Sequence, residues 1–195
     1  MTANRLEAFS DGVLAIIITI MVLELKPPEH GELTALRPLA PDVLSYLLSF
    51  LYVGIYWNNH HHLIKATKRV SGGILWANLH LLFWLSLTPF TTAWMGDTHV
   101  APLPTATYGA VSLFAGVAWL LLQRRIVAAQ GQESRVAAAI GPDRKGKASG
   151  ALYAAAIPLA FVHPAISVAI YAAVSLMWLV PDRRYERAIH GHHHP

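Results

Sequence analysis

The chain has 195 residues, of which 54% are hydrophobic and only 13% charged, with a net charge of +4 and a mean hydropathy of +0.41. That balance, spread over several long apolar stretches, excludes an ordinary soluble domain and indicates a polytopic membrane protein. The absence of cysteine excludes disulfides, iron–sulfur clusters and thiolate zinc sites, and the positive charge reads as orienting charge in loops rather than a nucleic-acid surface.

The first helix is predicted over residues 4–25, with Asn4 as its cap, Glu7 three residues on as the capping-box partner, and Pro27-Pro28 beyond its end. Its uncharged run from Gly12 to Leu23 covers roughly 18 Å at 1.5 Å per residue, short of the roughly 30 Å of a hydrocarbon core. Asp11 and Glu24 must therefore lie near the rims or face protein and water. They also interrupt the stretch enough that no cleavable signal pattern is expected. The polar, proline-rich segment that follows reads as a loop with room for one short turn.

A second helix is predicted over 41–64, apolar through Leu51-Tyr52-Val53-Gly54-Ile55-Tyr56-Trp57 and then polar at Asn58-Asn59-His60-His61-His62. A third, over 74–95, carries Asn78, His80, Ser86 and Thr88, with Pro89 as a kink. The fourth, over 105–122, is cleanly apolar, and its small residues Gly109, Ser112 and Gly116 allow close approach of neighbours. Residues 123–150 read as a long basic loop. Two short helices follow, over 151–162 and 165–180, separated by His163-Pro164; were they a re-entrant hairpin instead, the termini would stay on the same side. The terminal His192-His193-His194 is native or a cloning remnant and is assigned no function.

With six spans, thirteen of the 15 lysines and arginines fall on one side of the membrane and only Lys26 and Arg37 on the other. This positive-inside bias places both termini in the cytoplasm. The fold expected is therefore an all-α membrane protein, a single six-helix domain spanning 1–195.

On helix one, Gly12, Ile16, Thr19 with Ile20, and Leu23 share one face. The stripe is either a packing face or a pore-lining face, with branched apolar side chains as a constriction that dewets and Thr19 as a hydroxyl ring. One copy of one helix cannot surround a pore, so the second reading requires an oligomer. The three consecutive histidines point about 100° apart and cannot converge on one ion from a single chain, so no metal site is assigned. A histidine and an asparagine are instead expected to satisfy Ser10 and Asp11, because a carboxylate at membrane depth needs partners. The Asn58–His62 cluster lies on the same cytoplasmic side, and Asn78 and His80 of helix three begin there too. No phosphate loop, HExxH zinc motif, GxSxG elbow or TVGYG filter is present.

Arg5-x-x-x-Phe9-Ser10-Asp11, opening an apolar helix that continues Ala15-Ile16-x-x-Thr19, resembles the signature of the transmembrane protein 175 family, the lysosomal potassium channels of animals and their bacterial homologues. Trp57-x-x-His60-His61, Asn78-Leu79, Leu85-Ser86-Leu87 and Pro89-Phe90 extend the resemblance over roughly residues 4–95. A chain with one six-helix repeat resembles the bacterial branch, which implies a homotetramer in a bacterial plasma membrane with helix one lining a central pore. The resemblance further implies a constriction at Ile16, Ile20 and Leu23, and a selectivity layer at Thr19. It implies structural roles for Arg5, Phe9, Ser10, Asp11, Trp57, His60, His61 and Asn78. Ala15 stands where the animal repeats can carry serine, so only modest preference for potassium over sodium is expected. Glu24 is expected at the outer mouth, where a ring of carboxylates would concentrate cations.

The function expected is passive conduction of potassium and other monovalent cations, with no catalysis, no cofactor and no nucleic-acid partner. The alternative is a proton-coupled secondary transporter using Asp11 and the membrane histidines as a relay. A membrane-embedded metalloenzyme is a third and more distant reading.

Overall fold

Helix α1 (Ala3–Leu23) is capped two residues earlier than the sequence suggests: Thr2, not Asn4, is the N-cap, and its hydroxyl accepts from the Arg5 backbone N–H at 3.4 Å. Asn4 is drawn into the helix because Leu6, two residues on, is already committed to the core. The structure, a computed structural model, describes residues 2–28, 31–131, 137 and 143–179. Arg135, Val180, Arg183, Arg184, Arg187 and His192-His193-His194 lie outside the described residues.

After a single 3-10 turn at Leu33–Leu36, α2 (Ala40–Lys65) begins with Pro41 and Asp42 in its first turn and ends with His62 and Lys65 in its last. Proline needs no N–H partner there, and the charges complement the helix dipole at each end. Ser71 caps α3 (Gly72–Ser86), accepting from the Ile74 N–H at 3.4 Å. The kink expected at Pro89 is a break two residues earlier. Pro89 has no N–H and its ring cannot pass the carbonyl four residues back, so the helix stops at Leu87 and restarts as α4 (Thr88–Asp97). Thr92 helps hold the new first turn, its hydroxyl donating to the Thr88 carbonyl at 2.7 Å. Together α3 and α4 form one broken apolar unit of 26 residues, Gly72–Asp97.

Helix α5 (Pro102–Gln130) is 29 residues long and overruns the basic loop expected from residue 123. The core ridge explains the extension, because Ala115, Ala118, Trp119, Leu122 and Ile126 remain buried at helical spacing while Arg124 and Arg125 face outward. Its last side chain, Gln130, clamps the α2–α3 turn: it accepts from the Lys68 N–H at 3.2 Å and donates to the Arg69 carbonyl at 3.0 Å. Gly131, at φ +93°, ends the helix in a conformation open to glycine. Helix α6 (Arg144–Leu159) likewise begins within the expected loop, capped by Asp143, whose carboxylate accepts from the Gly146 N–H at 3.0 Å. Helix α7 (Pro164–Leu179) completes the fold.

The described residues are thus all helical or irregular, in six helical units once α3 and α4 are taken together. Three of these, Ala3–Leu23, Gly72–Asp97 and Pro102–Gln130, are long and apolar enough to cross a membrane. The core has two parts. Helices α2, α3, α4 and α5 pack around Val53, Leu63, Leu81, Leu85 and Met95, and α1 lies against α2, α3 and α4. A tyrosine cluster of Tyr52, Tyr108, Tyr153 and Tyr171 ties α2, α5, α6 and α7 together. Gly109 is the close-approach point in that cluster, because a β-carbon there would collide with the Tyr171 hydroxyl, which is held by the Thr105 carbonyl at 2.9 Å. Gly109→Ala should therefore destabilise the fold by about 1–3 kcal/mol, the usual cost of overpacking. A thermal melt of the variant in detergent would check this, and an unchanged midpoint would contradict it.

Candidate functional site

Helix α1 divides into two faces with different fates. Leu6, Ser10, Leu14, Ile17 and Met21, spaced three or four residues apart, are buried against α2, α3 and α4. The stripe of Gly12, Ile16, Thr19, Ile20 and Leu23 is exposed, with Ile16 at 59%, Ile20 at 41% and Leu23 at 79% of their full accessibility. None of these side chains belongs to the buried core, although Ile20 borders a cleft beside Pro89 and Phe90 of α4. Thr19 donates its hydroxyl proton to the Ile16 carbonyl at 2.9 Å, so the remaining acceptor capacity of its oxygen is left for a partner outside the helix.

The buried face is locked by a directional hydrogen-bond chain through three helices. Ser10 donates to the Leu6 carbonyl at 2.9 Å and accepts from the Asn78 amide of α3 at 2.9 Å. The Asn78 amide oxygen lies 2.7 Å from His60 Nε2 of α2. Because the Asn78 amide nitrogen is spent on Ser10, its oxygen must be the acceptor, which places the His60 proton on Nε2. Ser10, Asn78 and His60 are each at most 1% exposed. A second tie lies beside it, where Glu7 meets His61 Nδ1 at 2.6 Å.

Ser10 is tied to helix α3 through Asn78 and, through that same amide, to His60 of α2. Asn59 cannot serve because its amide folds back on its own helix, donating to the Ile55 carbonyl at 2.8 Å. Asp11 Oδ1 and His60 Nδ1 are buried without a hydrogen-bond partner among the described residues. Glu7, read only as a capping residue, is the carboxylate that engages a histidine. Its signal was available, since Glu7, Ser10 and Asp11 share a helix face. Arg5, Phe9 and Trp57 are exposed, and Trp57 stacks on His61 at 6.3 Å between ring centroids. His80 stays apart from this network and accepts from the Trp84 indole N–H at 3.0 Å. Among the described residues no three histidine, aspartate or glutamate side chains converge in a way that could hold a metal ion.

At the other end of α1, Glu24 is exposed at the C-cap and borders a cleft with Asp42 of α2 and Asp97 of α4. Lys26 lies 3.9 Å from Asp97. Sequence reasoning missed the two aspartates. The only pointer was topological, in that the start of α2 and the end of α4 must lie level with the end of α1.

Asn78→Leu should cost stability, since it strands the His60 N–H and removes the Ser10 partner; interhelical hydrogen bonds of this kind in membranes contribute roughly 0.6–2 kcal/mol. A double-mutant cycle with Ser10→Ala, read by unfolding in detergent, should give less than the sum of the single effects. Strict additivity would mean that the two side chains do not act together.

Residues 5–89 match the family model described as endosomal/lysosomal potassium channel TMEM175. A potassium channel of a Chryseobacterium species is 51% identical over 189 residues, covering 97% of this chain and 98% of that protein. A potassium channel of Chamaesiphon minutus is 36% identical over 120 residues, 58% of each chain. The crystal structure of a lysosomal potassium-selective channel TMEM175 homolog from Chamaesiphon minutus superposes with a TM-score of 0.81 at 28% identity, covering 92% of this chain and 97% of that one.

Proposed function

The chain belongs to the TMEM175 family of membrane channels, and we propose that four copies of it form a passive, potassium-permeable cation channel in a bacterial plasma membrane. The four α1 helices surround the axis and turn the exposed stripe inward. Both termini lie in the cytoplasm, where the positive-inside bias puts them.

The single observation that carries this reading is the division of α1 into an anchored face and an exposed one. Its exposed face combines branched apolar residues with one hydroxyl that still has acceptor capacity. In a fourfold ring, Ile16, Ile20 and Leu23 narrow the path with side chains that repel water, so the barrier to an ion is its own hydration. Thr19 interrupts them with oxygens that replace part of the water shell, which gives a modest preference for potassium over sodium. Glu24, with Asp42 and Asp97 behind it, makes the outer mouth negative and raises the local cation concentration. No step requires a cofactor or a chemical reaction.

Asp11 and His60 each bring a buried, unpartnered atom to the cytoplasmic end, which favours the proton-coupled carrier as the second reading. Reversal potentials separate the two: a channel follows the potassium gradient, and the carrier follows the proton gradient. Ile16→Asn, by wetting the constriction, should raise potassium flux into liposomes several-fold over the unmodified protein. Unchanged flux would remove Ile16 from the conduction path.

A further inference from the structure

On the side of the bundle away from the α1 stripe lies a cavity walled by α2, α5, α6 and α7, with an empty volume of about 710 Å³ including its mouth. Most of that space is the open mouth; the enclosed part is only about 90 Å³, below the roughly 300–1,000 Å³ of whole-ligand pockets and large enough for a few methylene groups. Its walls are apolar and aromatic, formed chiefly by Tyr52, Tyr56, Trp119, Tyr153 and Trp178. Two glycines on its wall have free space in front of them: a β-carbon at Gly150 would meet nothing within 4 Å, and one at Gly116 would come no closer than 3.9 Å to the Tyr56 hydroxyl. Ser175, also on the wall, has a buried hydroxyl without a partner among the described residues.

The mouth has the opposite character. Lys145, one turn before the wall residue Ser149, holds its ammonium 5.8 Å over the Trp178 ring and donates to the Met177 carbonyl at 3.4 Å. Arg124 is exposed one turn beyond the wall residue Leu120, and Arg144 and Lys147 are exposed at the same end of α6. Among the described residues the one acid there, Asp143, is engaged in capping α6. An apolar, aromatic interior beneath a basic rim disfavours an ion or a sugar inside and matches an amphiphile with an anionic head.

We propose that this groove takes one acyl chain of an anionic phospholipid along its open mouth, with a few methylene groups in the enclosed part and the phosphate at the Arg124–Lys145 rim. The assignment rests on the topology given above only in placing that rim at the inner leaflet. The lipid sits outside the conduction path and braces α6 and α7, whose packing against α2 and α5 leaves the gap.

The test uses the purified full chain in detergent, offered palmitoyl-oleoyl phosphatidylglycerol or the phosphatidylcholine with the same chains. Retention is read by native mass spectrometry and by the shift in melting midpoint. The expected result is several-fold greater retention of phosphatidylglycerol. Gly150→Leu, which fills the cavity, should cut that retention several-fold while the lipid-free melt and subunit stoichiometry stay unchanged. Arg124→Gln with Lys145→Gln should abolish the preference between headgroups. Equal retention of the two lipids by the unmodified chain would overturn the proposal, and so would a Gly150→Leu variant that binds as before. A change in oligomer mass on filling the cavity would also overturn it, identifying the gap as a subunit contact. Lipid retention is independent of conduction, so a failure of ion flux with retention intact counts against the channel reading and not against this site.

Discussion

The hydrogen-bond chain from His60 through Asn78 to Ser10 fixes how α1 is rotated about its own axis, and what α1 presents to its surroundings depends on that rotation. At about 100° per residue, Thr19 lies nine residues and so about half a turn from Ser10, on the far side of the helix. Ile16 and Leu23 flank it. Apolar packing alone does not specify this rotation, because α1 is hydrophobic on nearly all sides. A slip of one residue would bury Phe9 or Asp11 where Ser10 now sits. The polar chain excludes such slips, since a misplaced register would leave the Asn78 amide and the His60 N–H unsatisfied in an apolar setting.

The rest of the bundle keeps the two ends of that chain in place. Asn78 sits on α3, which is backed by the long helix α5, and α5 is clamped to the α2–α3 turn by Gln130. His60 sits on α2, whose other end packs on α4 beyond the Leu87 break. The break lets α3 follow α5 while α4 follows α2. On the opposite flank, α6 and α7 are joined to α2 and α5 through tyrosines, with the aromatic cavity among them. The molecule thus separates a polar anchor beside α1 from an aromatic groove behind it.

Much of this was legible in the residues, and the failures have physical causes. The number of helical units and the limits of α1 and α2 followed from apolar runs and prolines. The end of α5 was misread because Gln123-Arg124-Arg125 looks like a loop, although Leu122 and Ile126 continue the buried ridge at the right spacing. The start of α6 opposed a sound rule, since Arg144, Lys145 and Lys147 are cations at the positive end of a helix dipole. The Asp143 cap and the buried Ser149 and Tyr153 outweigh that cost. That an asparagine would partner Ser10 was legible, but which one was not. Choosing Asn78 over Asn59 depends on which asparagine is diverted to its own backbone, and spacing carries no trace of that. The same holds for Asp42 and Asp97, which meet Glu24 only after three helices are assembled.

The central claim is that the face of α1 opposite Ser10 lines the path of the ion. The chain contains no cysteine, so single cysteines can be introduced along α1 and treated with a charged thiol reagent in liposomes during flux. Thr19→Cys and Ile20→Cys are expected to react and lose conduction, whereas Leu14→Cys and Ile17→Cys, on the buried face, should stay unreactive and conduct unchanged. Modification at Thr19→Cys with full retention of flux, or block through the Leu14 face instead, would contradict the account.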